Sequence, residues 1–441
     1  MRQHRNTQIA HLGESKTREN KMNLMTNVIV AGVFACGLTG YATAQETINV
    51  GVVQPQAGEC AQWGVPITRG VQIWAEEFNA NGGIADSTGK KHQIKVTAYD
   101  NNCYTAGDEL TAFRRAILDD KVNFILQTFT PASRQAVAQI ATENKVLTTS
   151  YGAGYLNAKY PFLIGTVTGS PASYMLLVSH LLETRPDIKK VAIVTADHSF
   201  GQAALAYYKA GITPYAKRVE IVYSQPYDPA ATSDMLGLAT PIFASSPDLI
   251  VELGFTPGQQ ALFIEAMEQL GYKGLYGSEG WTMGLVTERV PAAQLAGRVF
   301  SAYVVDASEP SFSPRVSNFY KSYVERYGQK EWSVLASVAY AAMTTVEAGI
   351  QKASAPTGDA VRQALFATDT VDQPLFGKSR WGGAEMYGAN NWLLTPLPVY
   401  VTDDKGGVKV DAVVDVAKWW NANKDAALPV LAQGGQVPAN K

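Results

Sequence analysis

From residue 48 to residue 277 the chain alternates short, uninterrupted apolar runs with longer segments in which apolar positions recur every three or four residues. The short runs, such as VNFIL and KVLTT, lack polar alternation and read as strands covered on both faces. The periodic segments read as helices. The series predicts strand 48–53, helix 65–79, strand 94–99, helix 107–118, strand 124–127, helix 133–143 and strand 146–149. It then starts afresh with helix 172–183, strand 191–195, helix 201–216, strand 220–223, helix 235–243, strand 249–253, helix 258–270 and strand 275–277. Strands alternating with helices pair in parallel, so the expectation is an α/β fold of two doubly wound parallel-sheet units.

After residue 297 a further strand (299–305) and helices 314–327, 334–352 and 359–367 are expected. The stripe Phe312, Val316, Phe319, Tyr320, Tyr323 and Tyr327 has helical spacing and reads as core. From Gly377 through Trp381 to Tyr400 the chain is rich in Gly and Pro and reads as irregular strands and turns, with a frayed end. No repeat of solenoid or propeller length is present.

The N-terminus departs from this pattern. Lys16, Arg18 and Lys21 precede an uncharged apolar run at 28–38, followed by Ala42-Thr43-Ala44. The run is too short to cross a bilayer, which takes about 20 residues, and the order of the three regions is that of a secretory signal peptide cleaved after Ala44. The polar segment ahead of it is long, and Met22 and Met25 are alternative starts. Cys36 lies inside the apolar run, but Phe34 stands where a lipid-anchor site has a small residue, which argues against lipidation.

Of the 441 residues 46% are hydrophobic and 17% charged, with 37 Lys+Arg against 39 Asp+Glu. Cleavage after Ala44 removes five basic and two acidic residues and leaves 32 against 37. A near-neutral chain has no field for nucleic acid, so that partner is disfavoured and none is expected. Cys60 and Cys103 remain, an even number in a chain bound for an oxidising compartment, and one disulfide is the default.

The chemistry of enzymes is missing from the pattern. His92, His180 and His198 survive cleavage without metal-ligand spacing, Ile84 breaks a phosphate-loop match ahead of Gly89-Lys90, and no G-x-S-x-G occurs. No catalytic residue, metal or cofactor is expected; His198 is the one candidate base, and no activated nucleophile accompanies it. What stands out is position. Ligands of open parallel sheets bind outside the carboxyl ends of the strands. The loops there carry Trp63, Phe129, Thr130, Ser133, Tyr151, Gly152 and Tyr155 in the first unit and Phe200, Phe255, Glu279 and Trp281 in the second. Aromatics with a few hydroxyls and one carboxylate make a small-molecule pocket.

The opening strand, Ala61-Gln62-Trp63-Gly64, Gly70, the run Asn79 to Ile84, Tyr99-Asp100, Phe200-Gly201, Glu279-Gly280 and Tyr340 stand in an order that resembles the type I periplasmic binding proteins of ABC importers, in particular the leucine/isoleucine/valine-binding group, over residues 46–400. The resemblance implies two lobes, 45–167 with 303–379 and 168–302 with 380–441, joined by hinge strands near 165–168, 302–306 and 377–381. It implies a monomeric periplasmic receptor that closes around a small molecule and delivers it to an inner-membrane permease. A ligand-sensing module of a signalling system and a secreted hydrolase built on His198 are the rival readings.

Carried over position by position, the hydroxyl holding a ligand carboxylate falls on Thr130, close to a helix start at Ser133 whose free N–H groups favour an anion. The acid pairing a ligand ammonium falls on Glu279, and the covering aromatic on Trp63. Arg134 is a further candidate for a carboxylate. Gly154 replaces a threonine of amino-acid binders, and Phe200 and Phe255 replace tyrosines, so three hydroxyls are lost. Cys103 matches the family's disulfide position, but its partner position is Phe129, which leaves Cys60. The ligand is expected to be an apolar amino acid or close analogue, with an aromatic or aliphatic acid, or a polar molecule such as urea or a polyamine, as alternatives.

Overall fold

The computed structural model describes residues 46–437 apart from 59, 104, 128–131, 151–155, 230, 279–282 and 310–312. The signal segment and its cleavage site lie outside the described residues. The first lobe opens with strands β1 (Thr47–Val53), β2 (Ile84–Ala85), β3 (Lys91–Tyr99), β4 (Phe124–Gln127), β5 (Leu147–Ser150) and β6 (Leu163–Gly165). Helices α1 (Ala61–Asn79), α2 (Ala106–Arg114) and α3 (Arg134–Glu143) connect them. The second lobe follows with α4 (Ala172–Thr184), β7 (Lys190–Thr195), α5 (Ser199–Ile212), β8 (Glu220–Tyr223), α6 (Met235–Ala244), β9 (Leu249–Leu253), α7 (Pro257–Gln269), β10 (Leu275–Gly277), α8 (Met283–Thr287), α9 (Ala292–Leu295) and β11 (Val299–Ala302).

The chain then returns to the first lobe through α10 (Pro314–Tyr327), α11 (Val334–Ile350), α12 (Gly358–Phe366), β12 (Thr370–Gln373), β13 (Gly377–Gly382), α13 (Ala384–Tyr387) and β14 (Trp392–Leu394). It ends in the second with β15 (Leu397–Thr402), β16 (Val408–Val414) and α14 (Val416–Gln433). The sheets run β12-β13-β14-β6-β5-β4-β1-β3-β2 and β16-β15-β11-β10-β9-β7-β8. Their centres are parallel; antiparallel strands close both edges of the first sheet and the β16 edge of the second, whose other edge, β8, is parallel to β7.

The buried central strands behave as their unbroken apolar sequences require. β5 and β9 are buried at every position. On one face of the first sheet, Ile67, Val71 and Trp74 of α1 share a core with Val338, Ala342 and Val346 of α11. Arg315 bridges the two helices: its guanidinium bonds Glu77 at 2.6 Å and Glu347 at 2.8 Å, and Trp74 Nε1 donates to Glu347 at 3.1 Å. Two helices distant in sequence are thereby held as one layer.

The third crossing corrects the sequence expectation. Residues 377–381 form β13 inside the first sheet, and the chain leaves for the second sheet between Leu394 and Leu397. The first lobe therefore extends to about residue 394, because the break in strand pairing falls at Thr395-Pro396 rather than at Gly377. The tail is also more ordered than its Gly and Pro content suggests. α14 runs for 18 residues through Pro429, with Asp415 accepting the Lys418 N–H as its N-cap and Trp419 buried. An internal proline disguises such a helix.

The crossings are laced together. The Thr168 N–H donates to Thr395 Oγ1 at 2.7 Å, the Thr395 N–H donates to Thr168 Oγ1 at 3.0 Å, and Trp392 Nε1 donates to the Val167 carbonyl. The Asp306 N–H donates to the Tyr400 hydroxyl at 2.9 Å, and the Tyr303 N–H to the Pro398 carbonyl. Beside the third crossing, Trp420 and Lys424 of α14 bond Glu385 of α13 at 2.8 and 2.6 Å, and the Tyr207 and Tyr387 hydroxyls lie 3.3 Å apart.

Candidate functional site

Each lobe begins its candidate wall with the same device. β1 leads into α1, whose third and fourth residues are Trp63 and Gly64; β7 leads into α5, whose second and third residues are Phe200 and Gly201. A Cβ on Gly64 would lie 1.9 Å from the Pro55 carbonyl oxygen, and one on Gly201 would lie 2.0 Å from that of Ala196. No side chain fits there, because the backbone leaving the strand crosses the first helical turn in contact. The residue just before each glycine is a half-buried aromatic packed on its lobe's core. Trp63 and Phe200 are thus structural equivalents.

α1 starts four residues earlier than expected. The expected start at 65 falls next to Pro66, a residue common in a first helical turn, but here Pro66 lies inside the helix. The helix begins at Ala61 with Cys60 as its N-cap residue, so Trp63 stands on the helix and not in a loop. Cys60 is joined to Cys103 with Cα atoms 5.3 Å apart, and the Gln56 N–H reaches Asp100 Oδ1 at 3.2 Å. The exits of β1 and β3 are stapled together immediately beside Trp63.

In the second lobe His198 is the N-cap of α5, its Nδ1 accepting the Gly201 N–H at 3.1 Å. Burial lowers its pKa, and a ring accepting at Nδ1 is the neutral imidazole. That gives His198 a structural role as the helix cap. Phe255 is 3% exposed, its ring stacked on Tyr227 at 4.7 Å and on Phe263 at 4.9 Å, so it builds the lobe's core behind the strand ends. Thr256 and Gln259 cap α7 reciprocally and fix where the Gly254-Phe255 turn leaves the sheet.

A polar cluster under the same edge was not singled out from the sequence. Glu252, at the end of β9, accepts from Ser278 Oγ and Gln260 Nε2, and its carbonyl accepts the Tyr208 hydroxyl at 2.9 Å. The signal was a lone carboxylate in the apolar run Leu-Ile-Val-Glu-Leu.

In the first lobe Ser133 is buried just ahead of α3, and Arg134 turns its guanidinium to the Gly435 carbonyl at 3.4 Å. Phe129, Thr130, Tyr151, Gly152, Gly154, Tyr155, Glu279 and Trp281 lie outside the described residues. Among the described residues no three His, Cys, Asp or Glu side chains converge on a metal position, and no helix is long and apolar enough to cross a membrane.

Comparison with known proteins bears on this arrangement over most of its length. The Leu/Ile/Val-binding protein homolog 7 of Brucella suis biovar 1 is 25% identical over 385 residues, covering 83% of this chain and 92% of that protein. The substrate-binding protein LivJ of Streptococcus pneumoniae, solved with isoleucine, superposes with a TM-score of 0.65 at 18% identity over 84% of this chain and 99% of that one. A solute-binding protein of an ABC transporter from R. palustris, solved with benzoate, gives 0.67 at 16% identity over 83% and 96%. The periplasmic binding protein family model matches residues 47–405, from the first strand through β15. With two doubly wound lobes traversed three times by the chain, the protein belongs to the periplasmic binding protein family.

Proposed function

We propose that this chain is an exported, monomeric solute receptor that captures a small organic carboxylate between its lobes and delivers it to an inner-membrane ABC permease. The observation that carries the proposal is the matched pair of half-buried aromatics, Trp63 and Phe200, each set at the head of its lobe's first strand-to-helix connection by an obligatory glycine. Two such walls present apolar surface from both sides of a cleft. The solved relatives support the ligand class, since isoleucine and benzoate are both compact carboxylates with an apolar body.

In this reading Thr130 and the α3 start at Ser133 hold the carboxylate, Trp63 covers the ligand, and Glu279 pairs an α-ammonium group where one is present. Phe129, Tyr151, Gly152, Tyr155 and Trp281 complete the lining, and Phe255 stiffens the wall from behind. Closure follows from a ligand that touches both lobes only when they approach, which is the differential contact a population shift needs. An apolar amino acid is favoured over a simple aromatic acid by Glu279, and the loss of three hydroxyls relative to amino-acid binders keeps the aromatic acid as the second candidate.

A thermal-shift screen of amino acids and aromatic carboxylates tests this, because a ligand at ~100 times its dissociation constant adds about 2.7 kcal/mol. The expected result is stoichiometric binding of one class, with the ligand recovered unchanged and the radius of gyration reduced. Glu279→Gln is expected to abolish binding of an α-amino acid and spare a simple carboxylate. Turnover of the ligand, or no binding across both classes, overturns the proposal.

A further inference from the structure

Glu252 is 1% exposed, and the face of β9 it occupies is otherwise apolar: Ile250 precedes it on that face, Val194 of β7 stands beside it in register, and both belong to the core under α7. Burying a carboxylate in such a place is expensive, and a leucine or methionine would fill the space without that cost. The contacts show what the acid does there. Its Oε1 draws together Ser278, the residue that follows β10, and Gln260, one turn into α7. Gln260 Nε2 also meets Ser278 Oγ, and the Tyr208 hydroxyl of α5 holds the Glu252 carbonyl. The β10 exit and the first turn of α7 therefore converge on one side chain, while α5 is tied to the same residue through its backbone.

Ser278 is itself buried, and its N–H donates to the Phe300 carbonyl at 2.7 Å, so its backbone still belongs to the sheet. The next residue in sequence is Glu279. Whatever orients Ser278 sets the point from which the β10 exit departs, much as an outer-shell carboxylate orients the group that meets a ligand.

We infer that Glu252 is a positioning residue of the binding site: it fixes the exit of β10 through Ser278 and so preforms the second lobe's half of the cleft. The inference rests on the proposed binding function only for what is bound, and its first test needs no ligand. Amide hydrogen exchange on the unliganded protein is compared for wild type, Glu252→Ala and Glu252→Gln. Glu252→Ala is expected to accelerate exchange in the peptide spanning residues 275–283 about tenfold while peptides from β7 and α5 stay within about twofold; Glu252→Gln, which keeps a carbonyl acceptor, falls between. Unchanged exchange at 275–283, or acceleration spread evenly over the lobe, overturns the inference. Titration with isoleucine and with 4-hydroxybenzoate then follows. Where wild type binds either probe, Glu252→Ala is expected to weaken it about tenfold with partial rescue by Glu252→Gln. Equal affinities refute a positioning role. Failure of wild type to bind any small carboxylate counts against the proposed function and leaves the exchange result to decide this inference.

Discussion

Replacing Thr395 by valine removes one hydroxyl from the third crossing and changes almost nothing else. The two side chains have the same shape, and Thr395 is 1% exposed, so packing is preserved. What is lost is the acceptor for the Thr168 N–H, now bonded at 2.7 Å in a place where Thr168 is 0% exposed and water has no access. Stranding a buried amide costs about 1–3 kcal/mol, well above the ~0.5 kcal/mol expected of a change that touches no such feature. Thr168→Val strands the Thr395 N–H, bonded at 3.0 Å, at a similar cost. The double substitution is the sharper experiment. If the crossings stay together both amides are stranded and the costs add; if they part, water reaches both and the double variant loses less than the sum. Urea unfolding of the four proteins measures this, with small-angle scattering on the same samples to detect parting. A Thr395→Val variant within ~0.5 kcal/mol of wild type would refute the idea that this reciprocal pair clamps the first crossing to the third.

Reduction of the Cys60–Cys103 bond, or its replacement by serines, is expected to cost about 4 kcal/mol on the chain-entropy model for residues 43 apart; calorimetry showing no loss would exclude it as a staple. Gly64→Ala is expected to destabilise by about 1–3 kcal/mol because its Cβ meets the Pro55 carbonyl, while Gly107→Ala in α2, where a Cβ meets nothing, is expected to gain up to about 1 kcal/mol; equal effects in a denaturant series would sink the steric argument. His198 has a folded pKa below its ordinary value of 6.5, so the stability it contributes is present in full above 6.5 and drains away as the pH falls toward the folded value. His198→Asn caps α5 without titrating and should flatten that part of the pH profile; identical slopes in the two proteins would show the cap is not the titrating element.

The architecture was legible wherever burial on both faces left an unbroken apolar run. β4, β5, β7 and β9 fall where the pattern put them, and so do the helices between them. The sequence was less informative where two signals competed. The first helix starts four residues before the expected position, with Pro66 inside it, and Pro429 concealed α14 altogether. β13 and β14 were obscure because they are short and interrupted by Gly and polar residues: β13 reads Gly-Lys-Ser-Arg-Trp-Gly with half of its positions exposed, and β14 has three residues. At the site, the place of Trp63 and Phe200 just after a strand could be read from the sequence. Phe255 reads the same way in sequence, and only packing reveals that its ring points into Tyr227 and Phe263. Glu252 was visible all along as one acid in an apolar strand, but nothing local says which residue, 26 positions later, it holds.

The threefold traverse between the lobes has a consequence for how the chain is made and moved. The first sheet waits for β14 and the second for β15 and β16, and the apolar face of α1 finds its partner only when α11 arrives some 270 residues later. Neither sheet can be completed before β14 and β15 are made, and contacts of such long range form slowly. A nascent protein built this way stays threadable until its last fifty residues have emerged, which is the condition a translocation pore requires of its cargo. For the same reason, cutting the chain near residue 390 would not yield one intact lobe and one missing one; it would unmake both.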